Sequence, residues 1–248
     1  MNIDFPVPSQ YPALKTLWAE AFGDEESFID LFFATDFSPE RCRCVTVNGD
    51  VAAVLYWFDC EAEGRKLAYL YAVATAKAQQ GKGLCRTLME NTHALLQEQG
   101  YAGSLLVPGE SGLFGMYAKM GYTTINCIDS FSCVAKGSCE IRRASPEEYA
   151  AVRNSLLPAG GVRQEMGLVF LAGYTELYIG VDFALAGSRN GSSFTAMELL
   201  GNRDAAPAIL GALGLENGTF RVLGNKPLAM YHPLSDFPSP TYFGVAFD

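Results

Sequence analysis

The chain of 248 residues carries 27 acidic against 18 basic side chains, a net charge of −9, with 49% hydrophobic and 18% charged residues. Such a balance belongs to a folded chain with one ample core or two smaller ones, and excludes a disordered one. The acidity argues against binding nucleic-acid phosphates or anionic membranes; it favours a cationic substrate or simply solubility.

Seven cysteines, an odd number without a CxxC pair, predict neither a disulfide framework nor a zinc site, and His93 and His232 are the only imidazoles. Cys42 and Cys44 fall on one face of an expected strand, where they read as small hydrophobes. No basic segment followed by an apolar one opens the sequence, and the longest apolar runs, such as 51–58, are too short to cross a bilayer, so a cytoplasmic protein is expected.

In chain order, residues 12–22 and 25–33 predict two short helices, since Leu14, Leu17, Trp18 and Phe22, then Phe28, Leu31 and Phe32, recur at helical spacing. Residues 42–47 and 51–58 predict a hairpin about Asn48-Gly49, a dipeptide that accepts the positive φ angles of a tight turn. A strand over 67–75 follows, then an amphipathic helix over 84–99 ended by Gly100, a strand over 104–107, a helix over 113–120 stopped by Gly121, and strands near 123–134. Around Cys133 to Cys139 the pattern restarts: Ile3 and Tyr11 are matched by Ile141 and Tyr149 at an offset of 138, each pair accompanied by a serine suited to capping, Ser9 or Ser145. The offset predicts two domains, 1–136 and 137–248. The second continues with strands over 177–183, 194–200, 219–223 and 242–247 and a helix over 204–213.

The segment with the strongest chemical signal is Gln79-Gln80-Gly81-Lys82-Gly83-Leu84-Cys85-Arg86, a glycine-rich turn between strand and helix. A helix start leaves N–H groups unpartnered and partly positive, and glycine lets a pyrophosphate approach them. Gly81, Lys82, Gly83, Leu84 and Cys85 would supply the N–H groups, with Lys82 and Arg86 adding charge. The turn fits neither GxGxxG nor GxxxxGK[ST].

The turn resembles the [Q/R]-x-x-G-x-[G/A] signature of GNAT superfamily N-acetyltransferases, read as Gln80, Gly83 and Cys85, with cysteine replacing the final small residue. Tyr69-Leu70-Tyr71-Ala72-Val73 is similar to the family strand that leads into it, and Met116-Tyr117-Ala118-Lys119-Met120-Gly121-Tyr122 to its "fYeklGF" segment. The resemblance covers about residues 10–135. It implies an α+β fold, a GNAT-like mixed, mostly antiparallel sheet flanked by helices, followed by a second, smaller GNAT-like domain lacking the cofactor motif. It also implies acetyl-CoA as co-substrate without a metal, backbone near Ala72, Val73 and Ala74 holding the acetyl and pantetheine groups, and direct transfer to a primary amine of a small molecule. Within that chemistry Tyr117 is the candidate general acid for the departing thiolate, because a phenol can protonate a thiolate as its charge develops. The base stays open among Tyr69, Tyr71, Glu110, Asp59, Glu61 and Glu63. His93 and Trp18 read as structural. Two alternatives accompany this reading: an acyl-CoA sensor or pseudoenzyme, and a protein lysine or N-terminal acetyltransferase. Oligomeric state and the acceptor's identity are not legible.

Overall fold

The computed structural model describes residues 1–247. Strand β1 (Asn2–Asp4) leads to helices α1 (Tyr11–Phe22) and α2 (Glu26–Thr35), which bury Leu14, Leu17, Trp18, Ile29 and Phe32. The hairpin of β2 (Cys42–Val47) and β3 (Asp50–Ala62) turns on Asn48 and Gly49 at φ 54° and 95°, the left-handed pair that a tight hairpin turn requires. Then come β4 (Arg65–Thr75), α3 (Leu84–Glu98), β5 (Gly103–Leu106), α4 (Ser111–Ala118) and β6 (Thr123–Val134). Every element predicted in the first half is present, within a few residues at each end.

The second half contains β7 (Ile141–Arg143), α5 (Pro146–Leu156), α6 (Leu168–Tyr174), β8 (Glu176–Gly180), β9 (Phe183–Asn190), β10 (Ser193–Gly201), α7 (Ala206–Ala212) and β11 (Asn217–Pro233). Ser145 caps α5, its hydroxyl accepting from the Glu148 N–H while the Glu148 carboxylate accepts from the Ser145 N–H. Strand β9 and helix α6 escape sequence reading: β9 ends in Gly-Ser-Arg-Asn, poor β-formers, and α6 has seven residues, two turns at most. The strand expected over 242–247 is not a strand. Apart from one isolated bridge between Gly161 and Tyr242 the segment joins no ladder, and its apolar residues are buried by packing instead.

The sheet runs β1-β2-β3-β4-β5-β11-β10-β9-β8-β7, with β6 on β11. All neighbours are antiparallel except β4 with β5 and β10 with β11. Thus β7–β10 and the start of β11 repeat the pairing order of β1–β5. Strand β11 serves both halves: residues 217–220 lie beside β10, residues 230–233 lie beside β5, and β6 follows it throughout. Register shifts around Lys226 and Pro227 bend this ribbon midway, where proline cannot donate to the ladder.

Two apolar layers cover the first half. One face packs against α1, α2 and residues of the second half, through Trp18, Phe32, Tyr56, Phe170 and Phe247; the other packs against α3 and α4, through Leu88, Leu96, Leu106 and Tyr117. A third cluster, with Phe194, Ile209 and Phe220, lies under α7.

Candidate active site

Strands β4 and β5 are paired only from Leu67 to Tyr69 against Gly103 to Leu105, then diverge. On its other edge β4 carries a bulge: Tyr71 faces Tyr56 and Ala74 faces Val54, so Ala72 and Val73 oppose Leu55 alone. Ala72 takes φ 46°, a left-handed conformation that costs an alanine roughly 1–2 kcal/mol. Strain of this kind persists where surrounding structure enforces it, often at functional sites. A cavity of about 640 Å³ opens at the splay, lined by the bulged stretch, Gln80, Glu110 and Tyr117, and by the aromatic rings Trp18, Phe28 and Phe247.

At the end of β4 the chain enters the glycine-rich turn. Gly81 and Gly83 adopt φ 75° and 79°, and nothing lies within 4 Å of where a Cβ would stand on either. Gly83 is the N-cap of α3 and has no side chain to cap it, so the first-turn N–H groups have no capping side chain among the described residues. These features fit a pyrophosphate cradle. Gln80 Nε2 donates to the Thr75 carbonyl at 3.3 Å, bracing the turn against β4. Of the two cations, Lys82 folds back onto the Ala78 carbonyl and Gln79 at 3.0 and 2.9 Å, and Arg86 lies 3.9 Å from Glu90. Leu84 is buried and Cys85 half-buried beneath the turn.

Tyr117 sits in the wall opposite, buried on α4, with its ring edge-on to Tyr122 at 5.8 Å. Burial, and secondarily the nearby Cys85 sulfur, pushes its phenol well above the usual tyrosine range, so it stays protonated at neutral pH. Among the described residues its hydroxyl has no hydrogen-bond partner. Burial also raises the Cys85 thiol, which makes that residue a small neutral packing group rather than a nucleophile.

The fold therefore brings Ala72, Val73, Ala74, Gln80 and Tyr117 to one cavity, with Gly81, Lys82, Gly83, Leu84, Cys85 and Arg86 just outside its lining along the start of α3. Of the possible bases, Tyr69, Tyr71 and Glu110 line the cavity, whereas Asp59 is engaged by Tyr101 and Lys66, and Glu61 by Arg163. His93 is buried, its Nε2 in contact with the Tyr122 and Ser104 hydroxyls at 2.8 and 3.1 Å. Trp18 is core as expected, yet it also lines the cavity, with Nε1 donating to Asp24 at 2.7 Å. Phe247 lies in the terminal stretch whose sequence resembles the end of two-domain GNAT proteins, but it was not among the candidate site residues, because only tertiary packing carries an apolar residue from the second half to a cavity of the first. Among the described residues no cluster of His, Cys, Asp and Glu could hold a metal, and no helix is long and apolar enough to cross a membrane.

Comparison with known proteins agrees with this architecture. Residues 4–125 match the family model described as an acetyltransferase (GNAT) domain. No curated protein sequence matches the chain. Among solved structures, a GCN5-related N-acetyltransferase from Kribbella flavida is similar with a TM-score of 0.68 at 16% identity, covering 93% of this chain and 70% of that one. Another from Anabaena variabilis reaches 0.72 at 13% identity over 94% and 73%, and Eis1 from Mycobacterium abscessus 0.68 at 13% over 94% and 74%. Identities this low speak to fold, and here the shared fold extends over both halves. Residues 4–125 thus match the GNAT acetyltransferase domain, and the chain as a whole shares the fold of solved GCN5-related N-acetyltransferases.

Proposed function

We propose that the chain moves the acetyl group of acetyl-CoA to a primary amine of a small molecule by direct attack. The observation that carries this reading is the convergence of Tyr117, the bulged 72–74 stretch and Gln80 on one cavity at the splay of two parallel strands. Acetyl-CoA, when bound, supplies the activated acyl group. The first-turn N–H groups of Gly81 to Cys85 would hold its pyrophosphate, with Arg86 and Lys82 adding charge, and the backbone of Ala72 to Ala74 would hold its pantetheine arm and acetyl carbonyl. In this reading 1–136 is the catalytic domain and 137–248 a second GNAT-like domain without the motif.

Tyr117 would give its proton to the thiolate as charge develops. Its raised phenol is a weaker acid than in water, but a thiolate in the same dry wall is a correspondingly stronger base, so the match is kept. The amine approaches as a cation, which the acidic side chains Glu20, Asp24 and Glu110 at the cavity suit, and loses one proton to water before its nitrogen attacks the acyl carbonyl; as the C–S bond breaks, the new amide nitrogen sheds its second proton, which restores the Tyr117 phenol. A volume near 640 Å³ bounded by aromatic rings suits a small ligand better than a polypeptide. Seven unpaired cysteines fit a reducing cytoplasmic setting. Incubating the protein with acetyl-CoA and a panel of polyamines, aminoglycosides, amino acids and lysine peptides, while following free thiol, tests the reading. Acetyl-CoA binding without thiol release from any acceptor would leave the sensor reading in its place, and release with peptides alone would make it a protein acetyltransferase.

A further inference from the structure

The cavity is lined by residues from both faces of the sheet. Tyr117 and α3 belong to the apolar layer on one face, while Tyr69, Trp18, Phe28 and Phe247 belong to the other. If acetyl-CoA lies against α3, as proposed above, the acceptor meets the second face, and Phe247 is the part of that wall supplied by the second half. Its ring packs on Phe58 at 4.8 Å and Tyr69 at 5.5 Å, and its N–H donates to the Tyr69 hydroxyl at 3.3 Å. Gly167 lets the ring lie directly on its backbone, since a Cβ there would run into it.

Segment 242–247 has no strand ladder to hold it, and the groups that do hold it are buried polar ones. Glu198 on β10 is wholly buried and receives Arg153 Nε at 2.7 Å, Arg153 Nη2 at 3.0 Å, and the hydroxyls of Tyr149 and Tyr242 at 2.8 Å each. Arg153 also donates to the Val162 carbonyl at 3.1 Å, and the Val162 N–H donates to the Tyr242 carbonyl at 2.9 Å. Buried Gln164 donates to the Val245 carbonyl at 2.6 Å. Gly244 lies so close that a Cβ would collide with Glu198 Oε1 and the Tyr242 hydroxyl. A fully desolvated ion pair with every lone pair engaged is an expensive way to stabilise a fold, and its best-attested use is to specify one geometry.

We propose that Arg153, Glu198 and Gln164 are positioning residues that fix segment 242–247, and that Phe247, so placed, determines which amines the cavity admits by limiting the depth of its acceptor side. This rests on the acetyltransferase reading of the cavity. Shortening Phe247 opens space for a bulkier amine, and loosening the segment does the same in smaller measure.

The test compares a short alkylamine with a bulky arylalkylamine in wild type, Phe247→Ala and Gln164→Ala, the last keeping the charge pair intact. Turnover with acetyl-CoA gives kcat/KM for each amine; calorimetric titration of each amine with CoA present gives affinities independent of turnover. The bulky-to-small ratio is expected to rise about tenfold or more in Phe247→Ala, the worth of a few methylenes in a pocket, and severalfold in Gln164→Ala, with affinity for acetyl-CoA unchanged. A merely structural loss would lower both amines together and leave the ratio where it was. Ratios unchanged within twofold in both folded variants overturn the proposal while leaving the acetyltransferase reading intact. Amines that bind in the expected ratios but are never acetylated overturn that reading instead, and no binding of either amine overturns both.

Discussion

Replacing Tyr117 by phenylalanine deletes one oxygen from a buried wall, and the structure gives the consequences for folding and for rate separately. The hydroxyl has no partner among the described residues, so its removal strands no donor or acceptor, and unfolding free energy is expected to move by about 1 kcal/mol or less. The ring and its edge-on contact with Tyr122 remain. A lost general acid costs about 10² to 10⁴ in rate, which is about 2.7 to 5.4 kcal/mol of transition-state stabilisation. Single-turnover thiol release with an accepted amine, alongside calorimetry of acetyl-CoA, separates the two: kcat and kcat/KM fall together while affinity holds. Single turnover is needed because slow product release can hide a chemical defect. The pH profile adds a check. Because burial holds the phenol above its ordinary value near 10, the wild-type rate is expected to rise as the amine deprotonates and to show no falling limb below pH 10. A folded Phe variant with wild-type turnover would refute the reasoning and leave Tyr117 as a packing residue with solvent as proton donor.

Gly83→Asp, placing a carboxylate on the open N-cap of α3, should abolish acetyl-CoA binding in calorimetry while costing the fold only about 1–2 kcal/mol for a left-handed non-glycine residue; unchanged affinity would remove the cofactor assignment. His93 is held down to about 3 by burial and by stacked His232, so the unfolded chain binds its proton from pH 6.5 downward and the folded one does not. Stability from this group is thus complete above pH 6.5 and is lost on acidification at about 1.4 kcal/mol per pH unit, and urea titrations at several pH values should show that slope reduced in His93→Asn. A fragment of residues 1–136 should show no cooperative urea transition, because β5 and β6 both pair with β11 and the fragment lacks it; a sharp transition with native-like ellipticity would count against the shared strand being essential.

Local signals in this chain were legible wherever one stretch of residues dictates its own conformation. Asn48-Gly49 specifies its hairpin turn, the apolar stripe from Leu84 to Leu96 specifies α3, and Gln80 to Arg86 places an open, glycine-lined helix start after a strand, so the turn proposed to hold the cofactor could be located from the sequence. Pairing over long distances could not. That the slot beside β5 is taken by residues 230–233 depends on which edge is left unpaired after the whole sheet assembles, and alternation along a strand does not encode its partner. Helix α6 starts against the Asp36 carboxylate, which accepts from the Gly167 and Phe170 N–H groups at 3.0 and 3.1 Å across more than 130 residues of chain, a cap no local motif announces. Segment 242–247 has the apolar run of a strand but meets its burial through Glu198, Arg153 and Gln164, so only the tertiary structure turned it into a wall of the cavity. Sequence by itself determined the elements and the glycine-rich turn, because backbone propensity and side-chain period act within a few residues. Tertiary structure decided the cavity wall that carries Phe247, because that surface exists only where two distant halves are packed against each other.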